Sequence, residues 1–231
     1  MEKKTTRPRR LQLLAYWLGA LLGLLSLGLL MLPANDKLHA LGVMNSGHDT
    51  LHCDACHQDA PGSTRQQIQA NVNYLLGRRD VAADFGHLAV TNGSCLYCHE
   101  RSNDRHPVYR FLEPRFSKAR AILHPEQCVS CHTEHKGLRV TLTEIGYCVN
   151  CHKNTRLRKD SLDITHEQLI ALKRWDSCLG CHDFHGNHLI KAPKLLAQMI
   201  PPEKVRAYFQ GGVSPYGDDV RFKAKKEVQD D

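Results

Sequence analysis

Aromatic side chains are scarce in this chain of 231 residues, of which they make up 6%. The alternating apolar pattern of β-strands is nearly absent as well. A domain of this size normally depends on buried hydrophobic side chains, so this composition argues against an ordinary apolar core. No βαβ pattern is present, which excludes a thioredoxin-like redox domain. Cysteine is absent outside five short pentapeptides, so no thiol is left over for a separate disulfide framework.

Every cysteine belongs to one of five Cys-x-x-Cys-His pentapeptides, numbered here as motifs one to five. This is the attachment pattern of c-type haem, in which two thiols bind the porphyrin covalently and the histidine binds the iron. A zinc site would need sets of four ligands and gives no reason for a histidine after every second cysteine. We therefore predict five covalently attached c haems. The predicted attachment residues are Cys53, Cys56, Cys95, Cys98, Cys128, Cys131, Cys148, Cys151, Cys178 and Cys181, and the predicted proximal ligands are His57, His99, His132, His152 and His182.

Ten further histidines exceed what a surface of this size needs, and a second axial ligand for each iron explains their number. The contexts upstream of and between the motifs favour His48, His87, His124, His135 and His166 as distal ligands. His52, His106, His185 and His188 are further candidates, and which histidine serves which haem stays open. Irons with two histidine ligands have no open position and suit electron transfer.

Residues 11–32 contain no charged side chain, and these 22 residues match the roughly 20 that a membrane span needs. A cleaved secretory signal has a shorter apolar region of about 7–15 residues. Five basic residues and one acidic residue in the first ten favour a cytoplasmic N-terminus. We expect an uncleaved anchor in a bacterial inner membrane with the haem domain in the periplasm; the alternative is a long cleaved signal peptide.

The predicted fold is mostly irregular with short α-helices, a small multihaem cytochrome c fold wrapped round five haems and preceded by one transmembrane helix. Helices are expected at 64–79, from a Thr165–Gln168 capping box through 175, at 192–200 and at 203–209. The 20-residue spacing between motifs three and four suggests a closely stacked pair. The expected divisions are a cytoplasmic basic segment (1–10), a transmembrane anchor (11–32), a tether (33–47), a pentahaem domain (48–190), and C-terminal helices with a charged tail (191–231).

Two segments carry a resemblance to a known group. Cys128-Val-Ser-Cys-His-Thr-Glu-His135 resembles the C-x-x-C-H-x-x-H segments of class III-type multihaem cytochromes c, and Cys181-His-Asp-Phe-His185 repeats the pattern. The anchor followed by haem motifs is similar to the membrane-anchored tetrahaem quinol dehydrogenases, with five motifs here in place of four. The resemblance implies bis-histidine haems and redox partners in or next to the membrane.

Electron transfer is the function that these patterns favour. The expected donor is the quinol pool or a larger quinol-oxidising respiratory complex, and the expected acceptor is a periplasmic redox protein. Much of the formal net charge of +7 lies in the first ten residues, so no nucleic-acid partner is expected. The alternative is a reductase of a small nitrogen or sulfur oxyanion that uses one haem with an open site. Because all five motifs end in histidine, the pattern favours a carrier over a catalyst.

Overall fold

The computed structural model describes residues 7–30, 32, 35, 38 and 40–225. The chain forms two compact units, Met1–Val43 and Met44–Asp231. Some residues of the predicted basic segment (1–6), anchor (31), tether (33–34, 36–37 and 39) and charged tail (226–231) lie outside the described residues.

The first unit contains one long helix, α1, which runs from Arg7 to Leu30. Its leucines and aromatic residues are exposed along its length. At a rise of about 1.5 Å per residue, a helix of this length can cross the hydrocarbon core of a bilayer. The stretch Arg9–Leu30 is therefore long and apolar enough for a membrane span, although a signal sequence has the same properties.

The second unit consists of short helices joined by irregular chain. Its α-helices are α2 (Thr64–Leu75), α3 (Asn92–His99), α4 (Ser117–Leu123), α5 (Val149–His152), α6 (His166–Ala171), α7 (Cys178–Cys181) and α8 (Pro202–Phe209). Six 3₁₀ turns lie at Cys53–Ala55, Val108–Leu112, Pro114–Phe116, Cys128–Ser130, Trp175–Ser177 and Leu196–Gln198. Over the described ranges there is no β-strand, only isolated bridges between Asp59 and His87 and between His188 and Val220. The prediction of a mostly irregular fold with short helices is confirmed.

The predicted capping box at the start of α6 is present. The Gln168 amide donates to Thr165 Oγ1 at 3.2 Å, and the Thr165 amide donates to Gln168 Oε1 at 2.9 Å. This exchange satisfies two amides that have no partner within the helix. The helix ends at Ala171, four residues before the predicted end.

Helix α2 is attached by its polar face. Gln67 is buried, donates to the Ala60 carbonyl at 3.0 Å and accepts from the Gly86 amide at 3.0 Å. Leu75, on the predicted apolar face, is 81% exposed. The helix ends at Leu75 and not at the predicted residue 79. Hydrogen bonds from Gln67 to the chain before and after α2 therefore hold this helix in place.

The predicted helix at 192–200 is wrong. Only the 3₁₀ turn Leu196–Gln198 is helical there, between extended Leu195 and Met199. The Leu196 amide donates to Asp163 Oδ1 at 2.8 Å, and the Ile200 amide donates to the Gly180 carbonyl at 2.9 Å. The backbone groups that a helix would use are thus engaged with other segments. The helix predicted at 203–209 is present as α8.

A small apolar cluster surrounds motif five. Ile145, Leu179, Val205 and Phe209 are buried against one another, and Val205 is completely buried. Because Leu179 lies inside motif five and the other three do not, this cluster joins α8 to a motif. The partly buried residues that pack around it are Val140, Tyr147, Phe184, Ile200 and Tyr208.

Candidate functional site

All ten motif cysteines lie in the described part of the chain, and none is in a disulfide. In motifs one, three, four and five, the histidine amide donates to the carbonyl of the first cysteine at 2.9 Å. Motif two forms the last turn of α3, Asn92–His99. Residues three and four apart share a helix face, so this turn places two thiols and one imidazole of a motif on the same side. A porphyrin that binds two thiols and an imidazole requires this arrangement.

The thiols show which motifs are neighbours. Cys95 of motif two is hydrogen-bonded to Cys128 of motif three, which raises the pKa of Cys95 and lowers that of Cys128. A second hydrogen bond, between Cys148 and Cys178, joins motifs four and five in the same way. The thiol contacts therefore join motifs two and three, and motifs four and five. The closely stacked pair suggested by the 20-residue spacing between motifs three and four stays a prediction.

Asn92 reinforces the contact between motifs two and three. Its side-chain amide donates to the Glu126 carbonyl at 2.7 Å, and its carbonyl oxygen accepts from the Cys128 amide at 2.9 Å. The start of α3 is thereby hydrogen-bonded to the start of motif three.

Each motif histidine faces another imidazole. The ring centroids are 6.3 Å apart for His57 and His135, 5.9 Å for His99 and His48, 6.2 Å for His132 and His185, 6.1 Å for His152 and His106, and 6.2 Å for His182 and His166. Two imidazoles that bind one metal ion from opposite sides have centroids about 6 Å apart, given nitrogen–metal distances of about 2.0–2.1 Å and the size of the ring. The spacing therefore suits a metal ion held between two imidazoles.

Hydrogen bonds orient four of the facing histidines through one ring nitrogen. His48 Nδ1 is 2.6 Å from Glu134, His166 Nδ1 is 2.9 Å from Asp160, and His185 Nδ1 is 3.0 Å from Asp104. His106 Nδ1 is 2.6 Å from the Phe184 carbonyl. A nitrogen that donates to such an acceptor leaves Nε2 as the nitrogen that can bind a metal ion.

Burial keeps several of these imidazoles neutral, which is the form that binds metal. Desolvation lowers the pKa of His99, His106, His132 and His182. His48 differs, because its hydrogen bond to Glu134 raises its pKa.

The predicted distal ligands are placed unequally. His48, His135 and His166 each face a motif histidine, whereas His87 faces His57, which also faces His135. His124 is exposed, and its described ring contact is with Glu126 at 3.4 Å. The geometry therefore gives no support to the prediction that His124 is a distal ligand.

The further candidates also divide. His106 faces His152, and His185 faces His132. Both therefore take the position of a distal ligand, for which the sequence had favoured other histidines. His188 has partners on both ring nitrogens, Asp183 at 2.9 Å and Ser214 at 3.4 Å. Because both of its ring nitrogens are hydrogen-bonded in the structure described, we assign His188 a structural role and not a role in metal binding. His52 is exposed.

Two kinds of residue in this site were not predicted. The first are Glu134, Asp104 and Asp160, the acids that accept from distal imidazoles. Only Asp160, six residues before His166, is close in sequence to the histidine it contacts, whereas Glu134 and Asp104 contact histidines 86 and 81 residues away. The second is Asn45, which is 2% exposed, donates to the Thr133 carbonyl at 2.9 Å and accepts from the Lys136 amide at 3.1 Å. No sequence pattern points to Asn45.

One half-buried cation, Arg101, has an Nε that lacks a hydrogen-bond partner in the described part of the chain. Arg101 Nε is buried, and its guanidinium is 3.9 Å from Asp104. Its charge also lowers the pKa of His99 and His132, the histidines of motifs two and three. An anionic group between these motifs would complete its environment. The carboxylates of haem fit this requirement, as the paired thiols and imidazoles fit its porphyrin and iron.

Residues 46–153 match the family model for cytochrome c3. This stretch is slightly less than half of the chain and contains motifs one to four. No match to a curated protein or to a solved structure was found. The family match supports a multihaem cytochrome c with covalently bound c-type haem, and it suggests electron transfer as the function.

Proposed function

We propose that this chain is a membrane-anchored periplasmic cytochrome with five c haems, which carries electrons between the quinol pool, or a quinol-oxidising respiratory complex, and a periplasmic redox partner. The observation that carries the proposal is the second imidazole opposite each motif histidine, at 5.9–6.3 Å. Two histidines at each iron would leave no position for a substrate. The cytochrome c3 match over motifs one to four supports the same class of protein.

Haem supplies one-electron redox chemistry when it is bound, and the chain holds it and sets its environment. The ten motif cysteines form the thioether bonds. The histidine pairs that would hold the irons are His57 with His135 or His87, His99 with His48, His132 with His185, His152 with His106, and His182 with His166. Only the last pair joins a motif to the histidine immediately before it in the chain.

The hydrogen-bond acceptors behind the distal histidines have a second task. A carboxylate that accepts from Nδ1–H makes the imidazole a stronger donor at Nε2, which favours the oxidised metal. Glu134, Asp104 and Asp160 act in this way, whereas His106 donates to a neutral carbonyl. The chain thus provides unequal environments, from which unequal potentials follow.

Short segments serve several motifs at once and keep the haem sites close together. In the residues after Cys131, His132 belongs to motif three, Glu134 orients the ligand that faces motif two, and His135 faces motif one. After Cys181, His182 belongs to motif five, Phe184 orients the ligand that faces motif four, and His185 faces motif three. Each of these segments therefore connects three haem sites.

Arg101 is the residue that we assign to a haem carboxylate. Its buried Nε lies without a hydrogen-bond partner near motifs two and three, whose thiols also touch. A cation there lowers the energy of a buried carboxylate and favours the reduced state of the neighbouring iron.

The membrane location rests on α1 and on the residues before it. The helix is long and apolar enough to span a bilayer, and basic residues precede it in the sequence. By the positive-inside tendency these residues stay in the cytoplasm, which leaves the haem domain on the periplasmic side.

The test is a low-temperature electron paramagnetic resonance (EPR) spectrum of the oxidised, membrane-extracted protein, with haem quantified per chain. Five haems per chain, all low-spin and all unaffected by cyanide or nitrite, are the expected result. A high-spin haem that shifts when nitrite is added would contradict the carrier and favour a reductase with one open site.

A further inference from the structure

Motif one differs from the other motifs because its histidine faces two imidazoles. The His57 ring centroid lies 6.3 Å from that of His135, with the rings 25° apart, and 5.8 Å from that of His87, with the rings 50° apart. Both distances fall within or next to the range of the other facing pairs. An iron that already carries His57 has one axial position left, so it can bind only one of the two at a time.

His135 is held in place by a turn that its neighbours enforce. Its φ of 61° lies in the left-handed region, which a side chain other than glycine adopts only when the surroundings require it. Asn45 holds the turn in this conformation, because it donates to the Thr133 carbonyl and accepts from the Lys136 and Leu138 amides at 3.1 and 3.3 Å. These hydrogen bonds hold the turn that carries His135.

His87 is held independently, by the chain that follows motif one. An isolated antiparallel bridge joins it to Asp59, and the Ala60 amide donates to the Gly86 carbonyl at 2.8 Å. Buried Gln67 of α2 accepts from the Gly86 amide at 3.0 Å. His87 Nδ1 lies 3.5 Å from an Asp59 carboxylate that is almost fully exposed.

We propose that His87 and His135 are interchangeable distal ligands of the haem attached at Cys53 and Cys56. This inference rests on the proposed function. In the exchange, the bond between iron and one imidazole Nε2 breaks as the bond to the other forms. The iron keeps its oxidation state and remains six-coordinate, and no co-reactant is needed.

The two ligands belong to different environments, so the exchange changes the redox properties of this haem. His135 follows Glu134 in the turn that also orients His48, the ligand facing motif two. His87 lies beside an exposed carboxylate on a loop attached only to the motif-one region and α2. When His135 is the ligand, haem one is therefore connected to the site of haem two through the turn that carries Glu134 and His135. When His87 is the ligand, that connection is absent. The exchange would regulate electron flow at one end of the haem series.

The experiment compares the full-length haem-loaded protein with four variants: His87→Ala, His135→Ala, the double variant, and His52→Ala as a control. His52 is an exposed histidine directly before the same motif. Haem per chain, EPR spin state and carbon monoxide binding are measured for each. We expect every single variant to keep five low-spin haems, with an altered signal from one haem in His87→Ala and in His135→Ala only. In the double variant, one of the five haems becomes high-spin and binds carbon monoxide.

Two results would overturn the exchange. One is a high-spin haem in one single variant and an unchanged spectrum in the other, which would show one fixed ligand. The other is a double variant with five low-spin haems, which would show a ligand elsewhere. If the alanine variants lose haem, His87→Met and His135→Met replace them, since a methionine ligand raises the potential. A raised potential of haem one in only one methionine variant would again show that the replaced histidine is a fixed ligand. If the two histidines exchange, the remaining histidine binds in each variant and the potential does not rise. The unmodified protein tests the proposed function separately, through its haem count and spin state.

Discussion

At the scale of single residues, the acceptor behind each distal imidazole is the feature with the clearest chemical consequence. Glu134, Asp104 and Asp160 are charged acceptors, whereas the Phe184 carbonyl is neutral. A charged acceptor stabilises the oxidised metal more strongly through the imidazole. We therefore expect the potential of an individual haem to depend on a residue that does not bind the iron.

Replacing Glu134 by glutamine tests this dependence. The neutral amide is a weaker acceptor for His48 Nδ1, so the haem of motif two becomes easier to reduce. A tenfold change in the preference of the site for the reduced over the oxidised iron corresponds to about 59 mV for one electron, so we expect a rise on the order of 60 mV. Spectroelectrochemical titration of the purified protein measures it. The control is Glu144→Gln at an exposed position; equal titrations for the two variants would contradict the role of Glu134.

At the scale of secondary-structure elements, α8 stabilises motif five from outside the haem-binding stretch. Val205 and Phe209 of this helix pack on Leu179, which lies between the cysteines of the motif. Arg139, in the chain after motif three, also contacts α8. Its guanidinium lies 4.1 Å from the Tyr208 ring centroid and donates to the Tyr208 carbonyl at 2.7 Å. The helix after the last motif is thus part of the haem domain's stable structure and not a separate tail.

Val205→Ala is expected to destabilise the haem domain by about 1.5–3 kcal/mol, because it removes two buried methyl groups and leaves a cavity. Guanidinium denaturation of the haem-loaded protein, followed by haem-region circular dichroism, gives the free energy of unfolding. The matched control is Val213→Ala, since Val213 is 89% exposed. Its effect should stay within about 0.5 kcal/mol. If the two substitutions lower the free energy of unfolding equally, α8 does not stabilise the domain.

At the scale of the whole molecule, the haem sites are interlocked by segments that come from distant parts of the chain. His48 faces His99, and the acid behind His48 comes from the chain after motif three. His106 precedes motif three and faces motif four, oriented by a carbonyl from the chain after motif five. The proposed site of motif five lies within residues 160–182, whereas the sites of motifs two and four combine distant segments, so we expect the domain to assemble as one unit.

Replacing residues 1–33 with a cleavable secretion signal tests the division between anchor and haem domain. If α1 is the membrane anchor, the remaining chain is expected in the soluble periplasmic fraction with five haems, while the full-length chain stays in the membrane fraction. Fractionation and haem staining of the two proteins, expressed side by side, measure it. A shortened protein that still sediments with membranes would mean that the haem domain itself binds a membrane partner.

The attachment motifs, the apolar span and the absence of strands could all be read from residue order. They are local properties: two thiols and an imidazole must lie within one turn, and a span needs only an uninterrupted apolar run. The capping box before His166 is local in the same sense. Secondary structure was harder to predict where distant groups compete, as at 192–200, where Asp163 and Gly180 take the hydrogen bonds of a would-be helix.

The pairing of imidazoles depends on contacts between distant segments, and residue order alone does not reveal it. Proximity in the chain favoured His124, which the fold leaves exposed, over His106 and His185, which the fold places opposite motif histidines. The reason is physical: a distal ligand is held by the burial and hydrogen bonds of its own segment, so it can face any motif that the fold brings near. Residue order thus predicts the chemistry of the attachment sites, and packing determines which histidines face one another.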